Sequence, residues 1–393
     1  MKILFVQTNI YSDNASGVPR VTYNLGKYFT QQGFEVAYFS FKTNGHIDVE
    51  YGQLFHAIED NGVNNKNNLS ALLACISDFQ PNFVINQMAQ EPKIRKTLHQ
   101  VSLNHTFKLI GCIHNSLFPF KNNVKEIMKR ELPKPINHIM STNIMSKVPL
   151  LYHDIKQRKE LKDITAIHDT LLLNTPANYE ELKFFLKPKY LENIRVDFIL
   201  NPVLKIQKEV PKKEKVILHL GRLNNTQKRS DLLLDFWENT YRDLPDWQFK
   251  VVGNGPYYET LVSELQKRKL PRIELLGFQK AEPYYEEASI FMMPSAYEGL
   301  PHTIIDSQSF GCPVLAFKSY AALEFIVDDG KNALLATPFD TQEMANLCID
   351  LVKNKEKLIK MQIAALENAK RYSIEKIAKQ WLSLFEDLSP TEK

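Results

Sequence analysis

No hydrophobic run in this 393-residue chain approaches the roughly 20 residues that a membrane-spanning helix needs. The N-terminal stretch MKILFVQTN holds one lysine and four apolar residues before Gln7, too few for the core of a secretory signal. The four cysteines, Cys75, Cys112, Cys312 and Cys348, stand far apart without paired metal-ligand spacing. That pattern fits a reduced, cytoplasmic chain with no metal site. No full Gly-x-Gly-x-x-Gly follows the first strand-like segment, which argues against a dehydrogenase. Charge is nearly balanced: 49 basic against 45 acidic residues leave a net +4, too little to suggest a nucleic-acid partner.

What is present is an α/β pattern written twice. KILFV reads as a buried strand, a polar loop runs to Gly17, and Val18, Val21, Leu25, Tyr28 and Phe29 recur at helical spacing up to Gly33. EVAYFSF begins a second strand. FQPNFVIN (79–86), FKLIGCIH (107–114), ITAIHD (164–169) and FILNPV (198–203) read as further strands, NGVNNKNN (61–68) as a surface loop, and 120–165 as a basic stretch without a clear pattern. The charged segment KIQKEVPKKEK (205–215) is a linker candidate. Beyond it the alternation restarts with strands at KVILHL, WQFKVV, RIELL, SIFMMP, PVLAF and NALLA. The expected organisation is therefore two doubly wound domains, 1–204 and 205–372. The amphipathic tail 373–393, with Ile374, Ile377, Ala378, Trp381 and Phe385 on one face, is expected to return to the first.

Open parallel sheets bind ligands beyond the carboxyl ends of their strands, and the unusual residues gather there. Gly17 follows the first strand and His114 ends FKLIGCIH; Arg222 follows KVILHL, and Lys228 precedes the next helix. On spacing alone the two cations make either a solvated loop or a cradle for a diphosphate. Gly253 and Gly255 in VVGNGPYYETL make either a tight turn or a backbone that approaches a nucleotide. In SAYEGLPHTIID, Pro301 would open a helix running to about Gly311, leaving the amides of Gly299, Leu300, His302 and Thr303 for an anion. Glu298 and Asp306 would then bracket a nucleotide-sugar. His114 reads as either a structural histidine or a site residue, and Arg20 as either a solvated arginine or one facing the cleft or an acceptor.

Taken together, SGVPRVTYNLGKYFTQQGFEV, GRLNNTQKRSDLLL, VVGNGPYYETL, SAYEGLPHTIID and GCPVLAF resemble the GT-B glycosyltransferases, specifically the large retaining family 4. The likeness is good over roughly 215–335 and thinner over 1–200. The resemblance implies two Rossmann-like domains facing a central cleft. It also implies roles by position: Arg222 and Lys228 on the donor diphosphate, Glu298 on donor-sugar hydroxyls, and Gly299 and Leu300 offering amides. Asp306 would contact the ribose, Gly17 would pack on the diphosphate, and His114 would lie near the reacting carbon. No Asp-x-Asp triplet occurs, consistent with cations in place of a metal ion, and no cofactor is implied.

Three departures from the family pattern bear on donor identity: Asp306 in place of the usual Glu, Gln308 and Phe310 in a helix usually filled with small residues, and Ala333 where Gly often follows Asn. The implied reaction moves a hexosyl group from a UDP- or GDP-sugar to a glycan or lipid-linked acceptor in surface polysaccharide synthesis. A nucleotide-sugar 2-epimerase and a non-catalytic nucleotide-sugar or glycan-binding relative are the alternatives. The basic residues Lys121, Lys125, Lys129, Arg130 and Lys134 form either a solvated helix face or a peripheral contact with an anionic inner-membrane surface.

Overall fold

The computed structural model describes residues 1–8, 17–41, 51–58, 65–133, 136, 139, 141–142, 145–203 and 205–389. Lys134, most of the loop before Gly17, residues 61–64 of the Asn-rich loop and the last residues of the tail lie outside them. The chain divides into two units: 1–117, 151–204 and 374–393 in the first, 118–150 and 205–373 in the second.

In the first unit seven strands pair in parallel: β1 (Lys2–Gln7), β2 (Glu35–Ser40), β3 (Gln53–His56), β4 (Phe83–Asn86), β5 (Lys108–Ile113), β6 (Thr170–Leu173) and β7 (Arg195–Phe198). Their order is β3-β2-β1-β4-β5-β6-β7. Side chains alternate across a strand, and both faces of this sheet are covered. Ile3 and Phe5 join one core with Phe29, Trp381 and Phe385; Leu4 and Val6 join another with Leu72, Ile76 and Leu98. The helix Ile374–Leu388 thus completes the first core, placing Ile377, Ala378, Trp381, Leu384 and Phe385 against it.

The second unit carries β8 (Val216–Leu220), β9 (Gln248–Val252), β10 (Ile273–Leu275), β11 (Ile290–Met293), β12 (Val314–Phe317) and β13 (Ala333–Ala336), all parallel, in the order β10-β9-β8-β11-β12-β13. In both sheets the strand order reverses once, between β1 and β4 and between β8 and β11. Chains leaving these neighbours wind onto opposite faces, so a crevice opens at their carboxyl ends.

Several expectations for the first unit change. ITAIHD is not a strand but the end of the helix Lys147–Ile167; the strand is the continuous apolar TLLL that follows it. Leu161 and Ile164 are buried at helical spacing, and the His168 amide still donates to the Ile164 carbonyl (3.3 Å). FILNPV gives way to the half-buried edge strand Arg195–Phe198. Phe79 ends the helix Lys66–Phe79, capped by Gln80 in the left-handed region (φ 49°), so that strand begins at Phe83. Strand β3 went unrecognised, and the unassigned basic stretch contains the helices Pro119–Glu131 and Lys147–Ile167. The linker candidate is pinned along the second unit. The Lys213 ammonium reaches the carbonyls of Tyr285 (2.9 Å) and Glu286 (3.1 Å), and the Gln207 amide reaches Ser309 (3.0 Å).

His168 ties the end of the helix Lys147–Ile167 to the end of β4. Its Nδ1–H donates to the Ile164 carbonyl (2.9 Å), leaving Nε2 to accept from the Asn86 amide group (3.2 Å). The ring lies where a Cβ on Gly111 would stand, 2.6 Å from His168 Cδ2. With both ring nitrogens held, the ring cannot yield. Gly111→Ala is expected to lower stability by about 1–3 kcal/mol, the usual cost of overpacking a filled core, measured by urea unfolding; an unchanged midpoint would show that the ring is not fixed.

Candidate functional site

The candidate residues of the second unit sit where its strand order reverses. Gly221, Arg222 and Leu223 leave the end of β8, and Ser295 to Glu298 follow β11, its immediate neighbour. The segment Asn224–Ser230 is folded back on itself. The Asn224 side chain accepts from the amides of Gln227 (2.9 Å) and Lys228 (3.0 Å), and its carbonyl from Ser230 (3.0 Å). It is then tied to the β11 loop, because the Ala296 amide donates to the Gln227 carbonyl (2.7 Å). That scaffold brings the Lys228 ammonium to Glu298 Oε1 at 2.6 Å and the Gln227 side-chain amide to Oε2 at 3.1 Å. The Glu298 side chain is 8% exposed and that of Lys228 17%.

The two cations differ in their surroundings: Lys228 is compensated by Glu298, whereas Arg222 is exposed and, among the described residues, has no ion pair. Gln227 escaped notice in the sequence because a glutamine in a polar loop carries no pattern of its own. Tyr320, which follows β12, was missed for the same reason. Its buried hydroxyl meets no partner among the described residues, and burial, reinforced by the nearby Glu298 carboxylate, pushes its ionisation well above the ordinary range. It therefore stays a neutral donor. Ser319 fixes the same loop by donating to the Ser295 carbonyl (2.7 Å).

The two glycines of VVGNG serve the protein's own backbone. A Cβ on Gly253 would stand 1.8 Å from the Gly221 carbonyl oxygen, and one on Gly255 2.3 Å from that of Leu223. The turns are stitched by Leu223 N–H to Asn254 O (3.0 Å) and Tyr257 N–H to Leu223 O (3.1 Å). The close approach that the sequence leaves open is made here to the turn bearing Arg222.

Pro301 is not inside the helix but is its N-cap (φ −74°, ψ 98°), and the helix spans His302–Ser309, ending before Gly311. A proline cap has neither an amide nor a side-chain acceptor to offer. Among the described residues no acceptor faces the amides of Gly299 and Leu300, both of which are buried. Asp306 lies half-buried on this helix, with its carbonyl accepting from the Ser309 hydroxyl (2.7 Å). The departures at 308, 310 and 333 have local structural causes. Buried Gln308 accepts from Asn368 (2.6 Å) and donates to Asn332 (3.4 Å), fastening the helix to Lys355–Ala369; Phe310 stacks on Tyr285 with centroids 5.8 Å apart, and Ala333 is fully buried in β13.

In the first unit Gly17 is the exposed N-cap of the helix Val18–Gln31, at a φ of 67° that other residues adopt only with strain. His114 follows β5. Its Nε2–H faces Gln87 Oε1 at 2.6 Å, its carbonyl accepts from Asn174 (3.0 Å), and Nδ1 is buried without a partner among the described residues. The ring borders a cavity of about 10 Å³, about the size of one water molecule, lined also by Gln87, Asn174, Asn201 and Trp381. Burial lowers its pKa to about 4, so the ring is neutral at ordinary pH. The loop after it is clamped by Glu181, which accepts from Ser116 Oγ (2.7 Å) and the Leu117 amide (2.5 Å).

Residues 214–354 match the family described as glycosyl transferases group 1. The structure is similar to Anabaena HepE in complex with UDP and glucose, at a TM-score of 0.73 with 16% identity, covering 99% of this chain and 100% of that one. The fold is GT-B. An uncharacterized glycosyltransferase of Haemophilus influenzae is 31% identical over 46% of this chain and 52% of its own length. The amylovoran biosynthesis glycosyltransferase AmsD of Erwinia amylovora is 29% identical over 54% of this chain and 60% of its own. The matches thus span little more than half the length of these curated relatives.

Two outcomes follow. Removing one partner of a buried pair strands the other charge, at a cost of about 3 kcal/mol. Lys228→Ala should therefore lower stability by that order in urea unfolding, whereas Arg222→Ala should stay within about 0.5 kcal/mol. Equal effects would mean that the pair is not the compensated one. The second concerns His168 in the first unit and His219 in the second, both buried and both lowered by burial to about 4. A depressed histidine pKa leaves stability whole above about 6.5 and erodes it as pH falls toward 4. At pH 5 each should cost about 2 kcal/mol; a urea midpoint unchanged between pH 7 and pH 5 contradicts this.

Proposed function

We propose that the protein is a retaining, metal-independent glycosyltransferase of the cytoplasm. It moves a hexosyl group from a UDP- or GDP-sugar to a glycan or lipid-linked acceptor in surface polysaccharide synthesis, in peripheral contact with the membrane. The observation that carries this reading is the meeting, at the strand-order reversal of the second sheet, of an exposed Arg222, a Lys228–Glu298 pair and two amides without acceptors. The glycosyl transferases group 1 match over the same residues and the polysaccharide role in the name of AmsD support it.

The chemistry asks little of nucleophiles. Cleaving the bond between sugar and diphosphate moves an electron pair onto the leaving phosphate oxygen. Groups already aimed at that oxygen stabilise it without reorganising, each worth about 3–4 kcal/mol of barrier. Arg222 supplies the uncompensated charge, and the Gly299 and Leu300 amides supply fixed dipoles at the start of the helix His302–Ser309. Lys228 spends one of its three donors on Glu298 and keeps the others for phosphate. In turn Glu298, held by Lys228 and Gln227, retains acceptor lone pairs for sugar hydroxyls. Asp306 serves the ribose, and neutral His114 has no proton to give from Nδ1.

Arg222→Ala is expected to reduce turnover of the accepted donor at least a hundredfold, in assays run with a chelator present and read as released nucleoside diphosphate. Wild-type rates in that variant would remove Arg222 from the leaving-group site. Loss of activity in the chelator alone would remove metal independence.

A further inference from the structure

The helix Lys147–Ile167 has two apolar stripes that face different ways. Leu161 and Ile164 in its second half are buried in the first unit. In its first half, Val148, Leu151, Tyr152 and Ile155 recur at i, i+3, i+4 and i+7 and are 64%, 64%, 71% and 61% exposed. At about 100° per residue, the centre of this bare stripe lies about 160° around the axis from Leu161 and Ile164. Burying one stripe therefore turns the other outward, and its exposure follows from the geometry of the helix itself.

Cations frame the bare stripe. Lys159 and Lys162 continue it toward the C-terminus, and Lys156 and Arg158 flank it on opposite sides; all four are exposed. Arg158 lies over the ring of Phe184 (5.9 Å), itself 43% exposed, which adds an aromatic edge. Of the acids on the helix, Asp154 and Glu160 lie more than about 100° from the centre of the stripe, and Asp163 is paired with buried Arg95 (4.0 Å). An apolar strip bordered by long cationic side chains is the pattern of a helix lying in a lipid interface: the aliphatic groups enter the acyl boundary while lysine and arginine reach back to anionic headgroups.

We infer that the face formed by Leu151, Tyr152 and Ile155, with Lys156, Arg158 and Lys159 around it, is a docking surface of the first unit for an anionic lipid bilayer. A second copy of this chain fits it less well, because a two-fold pairing would bring the same stripe onto itself and set cation against cation. The inference rests on the reading that the acceptor is carried at a membrane and names the surface that meets it. In the basic helix Pro119–Glu131 the Lys121 ammonium lies over the ring of Phe118, the N-cap residue (4.5 Å).

The test uses the full chain with vesicles of pure phosphatidylcholine or of phosphatidylcholine mixed with phosphatidylglycerol, read by sedimentation. Binding is expected to the mixed vesicles only, to weaken with salt, and to fall at least tenfold in Leu151→Glu/Ile155→Glu and in Lys156→Glu/Lys159→Glu. Both pairs are exposed, and unchanged thermal melts will show the fold intact. No sedimentation of the wild type, equal binding to both vesicles, or unchanged binding in the variants overturns the proposal. So does a dimer in light scattering that the first variant abolishes. Binding of UDP by calorimetry, unchanged in both variants, keeps the two readings apart: a wild type that binds vesicles without UDP would defeat the donor assignment alone.

Discussion

Glu298 and Lys228 stand 70 residues apart in the chain and 2.6 Å apart in the fold, and the candidate site is organised around that contact. A carboxylate taken out of water needs a cation and hydrogen bonds to replace its hydration. Lys228 and Gln227 provide them only because Asn224 bends their segment back and the Ala296 amide fastens it to the β11 loop. The pair thus couples the turns after two neighbouring strands, β8 and β11.

The same constraint separates groups that look alike. Arg222 and Lys228 are both cations beyond β8, but one is solvated and the other neutralised, so their chemical capacities differ. The uncompensated charge and the acceptor-free amides favour an incoming anion. The compensated pair and the neutral hydroxyl of Tyr320 favour a neutral, hydroxyl-rich group beside it. A nucleoside diphosphate joined to a sugar, the donor proposed above, has both characters in one molecule.

Buried polar networks around the site give it rigidity. Gln308, Asn332 and Asn368 fasten the helix His302–Ser309 from behind. Buried hydrogen bonds of this kind favour one arrangement, since a shift breaks them where water cannot replace them. In the first unit Glu181 and Asn174 do the same for the loop that follows β5 and carries His114.

The sequence by itself determined the six strands of the second unit, the amphipathic last helix and the cluster of unusual residues at strand ends, because buried strands such as β8, β11 and β12 impose continuous apolar runs that need no partner to be recognised. It misassigned ITAIHD, where a short apolar run suits a helix end as well as a strand, and it missed the half-buried edge strand β3. Only the tertiary structure decided that Lys228 belongs to Glu298, that Gly253 and Gly255 make room for the Gly221–Leu223 backbone, and that Gln227 and Tyr320 belong to the site. Those facts depend on which loops meet across neighbouring strands, and strand order is set by crossovers between segments far apart in the chain, which leave no local trace in composition or spacing.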